Sequence, residues 1–169
     1  MSTECDFAEM SAATEDHKRL EPFVGTFKAE VKMWMGPGDP MVSTGKITNT
    51  FDLEGRFLHQ VYTGDPNDGP FANFEGRGYW GYNKTTKKYE GFWIDSASTI
   101  MQTESGKVDA GGKVWTMIGE MTGSDGNPMK KRSVITLQDN DHHLMEMYFG
   151  RADGSESKGM EIRYERVSG

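Results

Sequence analysis

The sequence has little of several features that mark particular classes of protein. It contains one cysteine, Cys5, so an internal disulfide is excluded. No apolar run approaches the ~20 residues that a membrane-spanning helix needs. The first residues carry acids where a secretory signal carries bases, and they lack its apolar stretch. We therefore expect a cytoplasmic protein that does not associate with a membrane.

Clustered positive charge is also missing. The formal net charge is −7, and the densest group of bases is the short run Lys130–Arg132. Proteins that bind nucleic acids neutralise phosphates with basic patches, so no nucleic-acid partner is expected. The spacings of zinc sites, phosphate loops and nucleophile elbows do not occur either. Because these motifs are absent from the sequence, we predict no metal site and no cofactor.

What the sequence has instead is glycine, methionine and a regular alternation of apolar and polar residues. The 21 glycines against 6 prolines favour tight turns, and the 12 methionines suit a core or the lining of a cavity. From Gly25 onward, apolar residues recur at every second position. Phe27, Ala29 and Val31, for example, alternate with charged residues, as in a strand with one buried face.

About ten segments of this kind follow one another, separated by short turns. No connection is long enough for a helical crossover, so neighbouring segments should pair as antiparallel hairpins. A meander of this length has two exposed edges, and closure into a barrel removes both. We predict an all-β fold, a closed antiparallel up-and-down barrel of about ten strands.

One short helix is predicted before the strands. Thr14 is placed to cap a helix over residues 15–20, and Pro22 with Gly25 should end it. The residues before Thr14 show no comparable pattern. We expect residues 1–13 to form a flexible leader and residues 14–169 to form a single β-barrel domain.

Three glycines have the spacing of a dinucleotide-binding turn. Gly76, Gly78 and Gly81 are followed by Asp95 at about the distance of the acid in that fingerprint. A nucleotide site of this type needs a helix directly after the glycines. Residues 82–94 instead show β-forming residues on both sides of a polar turn. The glycines are therefore predicted to lie within a barrel strand, where they allow a bend or make room for large neighbours.

Two tryptophans on the same predicted hairpin are candidates for a binding wall. Trp80 and Trp93 would form a cross-strand aromatic cluster, which is either a packed core or a surface on which a flat apolar ligand stacks. A buried indole N–H usually has an acceptor, and Asp95 or Asn49 is predicted to supply it.

Two histidines are predicted to face the barrel interior. His143 shares a strand face with Met145 and Met147, and His59 falls between Phe57 and Val61. Each is either a hydrogen-bonded core residue or part of a ligand site. Strand phase as a whole predicts a ligand site with these lining residues: Asn49, His59, Trp80, Trp93, Asp95, Met117 and His143.

Four stretches together resemble a known family: LEPFVGTFKAEVKMW, LEGRFL, GYWGYNKTTKKYEGFWIDS and KGMEIRYERV. They are similar to the bacterial domain-of-unknown-function family 1579, over residues 20–167. The family looks related to the calycins, which include lipocalin-like and nitrobindin-like barrels. The resemblance implies a closed barrel with a central cavity and no known activity. Nitrobindin-like relatives bind haem through a histidine on a late strand, which implies His143 as the candidate here.

Four functions are compatible with these observations. The first is binding of a small hydrophobic or aromatic ligand inside the barrel. The second is an isomerase or hydrolase that uses Asp95 or His59 as a base in the cavity. The third is haem binding through His143, and haem is the one cofactor under consideration. The fourth is a structural or interaction module in which exposed aromatic residues such as Tyr79 and Trp34 pair subunits into a homo-oligomer.

Overall fold

The computed structural model describes residues 3–168, with side chains from residue 7 onward. Ten strands follow one another in antiparallel order, and the barrel closes because β1 pairs with β10 as well as with β2. The predicted closed antiparallel barrel of about ten strands is confirmed. The strands are β1 (Gly25–Met33), β2 (Met41–Asp52), β3 (Phe57–Gly64), β4 (Glu75–Asn83), β5 (Lys88–Asp95), β6 (Gln102–Val108), β7 (Val114–Thr122), β8 (Pro128–Leu137), β9 (His142–Gly150) and β10 (Glu156–Ser168).

The alternation read from the sequence sets which face of each strand is buried. On β1, Phe27, Ala29 and Val31 are buried, and the charged residues between them, Lys28 and Glu30, are exposed. Phe27 lies opposite Ile47 of β2, and Val31 lies opposite Ile162 of β10. Apolar side chains from adjacent strands therefore meet on the inner face, and their burial favours closure of the sheet into a barrel.

One end of the barrel is filled and the other is open. Before β1, a 3-10 turn (Glu21–Phe23) inserts Leu20 and Phe23 into the barrel, where both are at most 2% exposed. We call the cluster that they form the packed end; its other members are Leu58, Trp80, Tyr89, Trp115, Met117 and Ile135. The open end is formed by the loops that follow β1, β3, β5, β7 and β9.

Two short helices precede the 3-10 turn. The predicted capped helix is present as α2 (Glu15–Lys18), and the Thr14 backbone N–H donates to His17 Nδ1 at 3.0 Å. The first helix, α1 (Thr3–Ser11), lies within the predicted leader and was not anticipated. Within residues 3–168, no helix has both the length and the apolar character needed to cross a membrane.

Tertiary contacts hold the C-terminal turn of α1. Arg56 donates from Nε to the Ser11 carbonyl at 2.7 Å, and Lys84 donates from Nζ to the Glu9 carbonyl at 2.6 Å. Basic side chains commonly satisfy the free carbonyls at a helix C-terminus. These partners are distant in sequence, so no local pattern signals them. The domain division at residue 14 stays a prediction.

The segment that fills the packed end is tied to the barrel by hydrogen bonds. Asn49, 1% exposed on β2, donates from Nδ2 to the Phe23 carbonyl at 2.8 Å. From the other side, Arg166 donates to the carbonyls of Val24 at 2.6 Å and Pro22 at 2.8 Å. The position of Phe23 is therefore fixed from two strands.

Replacing Asn49 by alanine should lower the free energy of unfolding by about 1–2 kcal/mol, because the buried Phe23 carbonyl loses its donor. Urea unfolding measured by far-UV circular dichroism gives the value. Thr50→Ala, at the exposed neighbouring position on β2, is the control and should change stability by less than about 0.5 kcal/mol. Equal stability of the two variants would show that the Asn49 bond does not anchor the segment.

Candidate functional site

A cavity of about 290 Å³ lies inside the barrel, between the packed end and the open end. Its lining is mainly apolar and comes from all sides of the barrel. Aromatic residues and methionines predominate. Five of the predicted site residues line it: Asn49, Trp80, Trp93, Asp95 and His143.

The two tryptophans form part of one wall. Trp80 is 8% exposed, and its indole meets the Phe23 ring edge-on at 5.8 Å between centroids. Trp93 donates from Nε1 to Asp95 Oδ2 at 3.0 Å, so the predicted acceptor for its N–H is confirmed. Asp95 Oδ1 accepts from the Ala97 backbone N–H at 3.0 Å. Asp95 therefore links the indole of Trp93 to the turn at the open end and fixes its orientation.

Two of the glycines with nucleotide-like spacing make room for Trp93, and a glycine of the adjacent strand makes room for Trp80. A Cβ atom on Gly76 would overlap Cζ2 of Trp93, and one on Gly78 would lie 2.7 Å from Cε3 of the same ring. On the adjacent strand, a Cβ atom on Gly91 would lie 2.5 Å from Cδ1 of Trp80. Gly76, Gly78 and Gly81 all lie within β4, as predicted, and the strand continues past Gly81 where a nucleotide site needs a helix.

Gly76→Ala should displace the Trp93 indole and lower the free energy of unfolding by about 1–2 kcal/mol through overpacking. Near-UV circular dichroism should report the change in the tryptophan environment, and urea unfolding should report the change in stability. Gly36→Ala is the matched control, because no atom lies within 4 Å of a Cβ built there. An unchanged near-UV spectrum for Gly76→Ala would contradict the close contact with Trp93.

His143 lies at the boundary between the cavity and the packed end. Its imidazole stacks on Tyr164 at 4.3 Å, and Phe23 and Phe27 contact it edge-on at 5.0 and 4.7 Å. Burial, together with the nearby Arg166 guanidinium, lowers the pKa of His143 to about 3. The side chain is therefore a neutral imidazole at pH 7.

Two tyrosines add hydroxyl groups to the cavity lining, and the sequence analysis did not include them. Tyr62 and Tyr164 are both buried residues on inward faces. Burial, with a contribution from the Asp65 carboxylate, raises the pKa of Tyr62 to about 12. Burial also raises the pKa of Tyr164. Both phenols are protonated at pH 7.

Two of the predicted site residues lie elsewhere. The inward orientation predicted for His59 is wrong: its ring stacks on the outward-facing Tyr79, with 4.7 Å between centroids. On β3 Leu58 and Tyr62 face inward, so His59, which has the opposite phase, falls on the outer face. Met117 does face inward, but it is 0% exposed within the packed end and does not line the cavity.

The sequence analysis missed a buried polar cluster in the cavity wall. Lys131 of β8 and Glu104 of β6 form an ion pair at 3.3 Å, with side chains that are 6% and 12% exposed. Lys131 Nζ also donates to Gln102 Oε1 at 3.4 Å, and the Ser133 hydroxyl donates to Glu104 Oε2 at 3.0 Å. We call these four residues the Lys–Glu cluster. Lys131, Glu104 and Gln102 all line the cavity.

The surroundings of His143 do not fit an axial haem ligand. A ligating histidine usually donates its second ring N–H to an acceptor. His143 Nδ1 has no hydrogen-bond partner among the described residues, and aromatic rings enclose the imidazole. A packed, neutral side chain accounts for these contacts. Over the described part of the chain, no group of three or more His, Cys, Asp or Glu side chains is arranged to hold a metal ion.

Comparisons with known proteins agree with the barrel architecture. The crystal structure of Rv2717c from M. tuberculosis has a TM-score of 0.64 at 11% identity, over 92% of this chain and 99% of that chain. At this identity the likeness shows the fold alone. A redesigned β-barrel, mFAP0 bound to DFHBI, has a TM-score of 0.43 at 16% identity, over 86% of this chain and 99% of that chain. None of the curated proteins matches the sequence.

The family described as "Protein of unknown function (DUF1579)" matches residues 12–166, which include all but the last two residues of the barrel. The match confirms the resemblance read from the sequence. The chain belongs to this family.

Proposed function

We propose that the protein binds a small, mainly apolar, flat molecule inside the barrel. The observation that carries the proposal is the cavity of about 290 Å³, walled in part by the indoles of Trp80 and Trp93. A barrel of eight strands already has room for one small ligand, and this one has ten. The proposed site therefore lies in the space that the packed end leaves unfilled.

The composition of the lining supports a ligand of this kind. Ligand pockets are mostly apolar, with a few polar groups that orient the ligand, and their volumes begin at about 300 Å³. Methionine side chains are flexible and polarisable, so they adapt to ligands of irregular shape. Five methionines line the cavity: Met33, Met121, Met145, Met147 and Met160.

The positions of the indoles support stacking on a flat ligand. Trp93 is fixed by its hydrogen bond to Asp95 and by close packing of its ring against the backbone of Gly76 and Gly78. A side chain that is already fixed loses little conformational entropy when a ligand binds, which favours affinity. Preorganised aromatic walls are therefore suited to binding aromatic molecules.

The enzyme alternative has less support from the geometry. It would gain from a buried acid beside a histidine in the cavity. His59 lies on the outer face, and His143 lies near the packed end, whereas Asp95 ends β5 at the open end. Both Asp95 oxygens already accept hydrogen bonds. Binding without chemistry is the function that these positions favour.

Naphthalene tests the proposal as a small, flat, apolar probe. Isothermal titration calorimetry should show saturable binding of one molecule per chain to the wild-type protein. Gln60→Trp should reduce the affinity at least tenfold, because Gln60 lines the cavity and a larger side chain there takes the space. His59→Trp is the matched control: it adds the same side chain one residue earlier, on the outer face.

His59→Trp should bind naphthalene as the wild-type protein does. Far-UV circular dichroism should show that both variants fold. If wild-type protein binds no naphthalene, or if Gln60→Trp binds it as tightly as His59→Trp does, the cavity is not the binding site and the proposal is wrong.

A further inference from the structure

We propose that the Lys–Glu cluster is the subsite for the polar end of the ligand, and that this end is a neutral hydroxyl group such as a phenol or an alcohol. The inference rests on the proposed function, because it assumes that a ligand occupies the cavity. It adds a chemical class: an amphipathic molecule with a flat apolar body and a hydroxyl at one end.

The hydrogen-bonding capacity left over in the cluster indicates what it would bind. The Lys131 ammonium has three N–H donors: one donates to Gln102 Oε1, and the group also forms an ion pair with Glu104 Oε2. Glu104 Oε2 accepts from the Ser133 hydroxyl and forms the ion pair with Lys131, whereas Oε1 accepts no hydrogen bond from the described side chains. At least one donor and one acceptor therefore remain in a cluster that lines the cavity.

The contacts of the ammonium group are long for a charged pair. Charge-assisted N–H···O bonds are typically about 2.7–2.9 Å. Lys131 Nζ lies 3.3 Å from Glu104 Oε2 and 3.4 Å from Gln102 Oε1. An oxygen atom from a ligand would therefore give the Lys131 ammonium group a shorter hydrogen bond than the contacts that the protein provides.

The net charge of the cluster favours a neutral group over a charged one. Lys131 and Glu104 are one cation and one anion, and Gln102 and Ser133 are uncharged. A ligand carboxylate would gain from Lys131 but would be repelled by Glu104 in a medium of low polarity. A hydroxyl both donates and accepts, so it can donate to Glu104 Oε1 while it accepts from Lys131.

Stability gives little reason to keep an ion pair in this place. The cost of removing two charges from water often exceeds their attraction, and apolar replacements of similar volume are frequently neutral or stabilising. The remaining lining of the cavity shows that apolar side chains are accommodated at neighbouring positions, for example Ile135 on β8. A role in recognising the ligand explains why charged side chains point inward.

Three probes with the same ring system distinguish the possibilities: 2-naphthol, naphthalene and 2-naphthoate. Their dissociation constants should be measured by isothermal titration calorimetry at pH 7, where 2-naphthol is neutral and 2-naphthoate is an anion. We expect 2-naphthol to bind at least tenfold more tightly than naphthalene, the effect of a hydrogen bond to a charged group. We expect 2-naphthoate to bind more weakly than 2-naphthol.

The double variant Lys131→Met/Glu104→Leu removes both charges. It should bind naphthalene at least as well as the wild-type protein does, and the preference for 2-naphthol should disappear. Lys130→Met/Thr103→Leu introduces the same two side chains at exposed positions one residue earlier on the same strands, and should keep the preference for 2-naphthol. Ser133→Ala is a smaller change, which tests the same point if the double variant does not fold. It should reduce the preference for 2-naphthol over naphthalene.

The outcomes separate this inference from the proposed function. If no probe binds, the proposed function itself is wrong. If naphthalene and 2-naphthol bind wild-type protein equally, a cavity ligand remains but the Lys–Glu cluster is not its polar subsite. If 2-naphthoate binds most tightly, the proposal that the polar end of the ligand is neutral is wrong. If the preference for 2-naphthol survives in both the double variant and Ser133→Ala, the hydroxyl group binds elsewhere in the cavity.

Discussion

Replacing Lys131 by methionine should lower the free energy of unfolding by about 3 kcal/mol. The Lys131 and Glu104 side chains are 6% and 12% exposed, and the ammonium nitrogen lies 3.3 Å from Oε2 of the carboxylate. Removing the cation leaves an anion in a mainly apolar cavity, with the Ser133 hydroxyl as its remaining hydrogen-bond donor. Breaking a buried pair typically costs about 3–5 kcal/mol, and the low end applies because the cavity leaves space for water beside Glu104.

Urea unfolding of three variants tests this expectation. Adding Glu104→Leu to Lys131→Met should recover most of the lost stability, because neither charge is then left without a partner. Lys130→Met, on the outer face of the same strand, should change stability by less than about 0.5 kcal/mol. A Lys131→Met variant that is as stable as the wild-type protein would show that the two side chains do not form a buried ion pair.

Acidification from pH 7 to pH 5 should lower the free energy of unfolding by about 2 kcal/mol through His143 alone. In the folded protein, burial and the Arg166 guanidinium lower the pKa of this histidine from 6.5 to about 3. The unfolded chain therefore takes up a proton near pH 6.5, and the folded chain takes it up only near pH 3. The contribution of His143 is complete above about pH 6.5 and falls by about 1.4 kcal/mol per pH unit below it.

Two variants isolate the contribution of His143 to this pH dependence. His143→Phe keeps an aromatic ring between Phe23 and Tyr164 but cannot titrate, so its stability should fall much less between pH 7 and pH 5. His142→Gln removes the neighbouring, exposed histidine, whose pKa is raised by its hydrogen bond to Asp139. His142 stabilises the fold when it is protonated. In His142→Gln, stability should therefore fall between pH 7 and pH 5 at least as much as it does in the wild-type protein.

Urea unfolding at pH 7, 6 and 5 gives the three slopes. His17, whose pKa is also lowered by burial, adds to the fall in all of the proteins and cancels in the comparison. The same pH dependence in His143→Phe as in the wild-type protein would contradict a buried, neutral His143.

The architecture could be predicted because the strands alternate clearly. Strands such as β1 and β10 carry apolar residues on one face and charged residues on the other, so their inner faces can be read directly. The orientation of Trp93 and its bond to Asp95 followed from the same period, because residues two apart on a strand share a face. The glycines of β4 could be placed in a strand because the residues after them lack a helical period.

The strands that were misread lack this contrast. On β3 both faces carry large apolar residues, with Phe57 and Val61 outside and Leu58 and Tyr62 inside. Phe57 is accommodated on the outer face over Gly81, since a Cβ atom there would lie 2.7 Å from the phenyl ring. Pairing with β2 and β4 decides which face of β3 points inward. The local sequence around His59 therefore could not show that its predicted inward orientation was wrong.

The Lys–Glu cluster escaped prediction for a related reason. Strand β6 has the sequence QTESGKV, which contains a single apolar residue, so its inner face cannot be recognised by hydrophobicity. On β8, bases occupy both inward and outward positions before Ser133. Buried charges become visible only when two such strands lie on the same barrel wall and their side chains meet inside.

The two ends of the barrel differ in their packing. At the packed end, Trp115 and Met117 are fully buried, and the chain before β1 seals the interior. At the open end, loops replace this packing and the cavity begins. A ligand that enters the cavity would bury apolar surface that the fold leaves exposed, so its binding should raise the stability of the folded state.

The most direct measurement of the central claim is the position of a heavy-atom ligand in a crystal of the protein. Crystals grown with 6-bromo-2-naphthol should show an anomalous bromine peak inside the barrel, with the naphthalene ring against Trp80 and Trp93. An interior without bound ligand at saturating concentration, or bromine bound at the outer face of the barrel alone, would contradict the account.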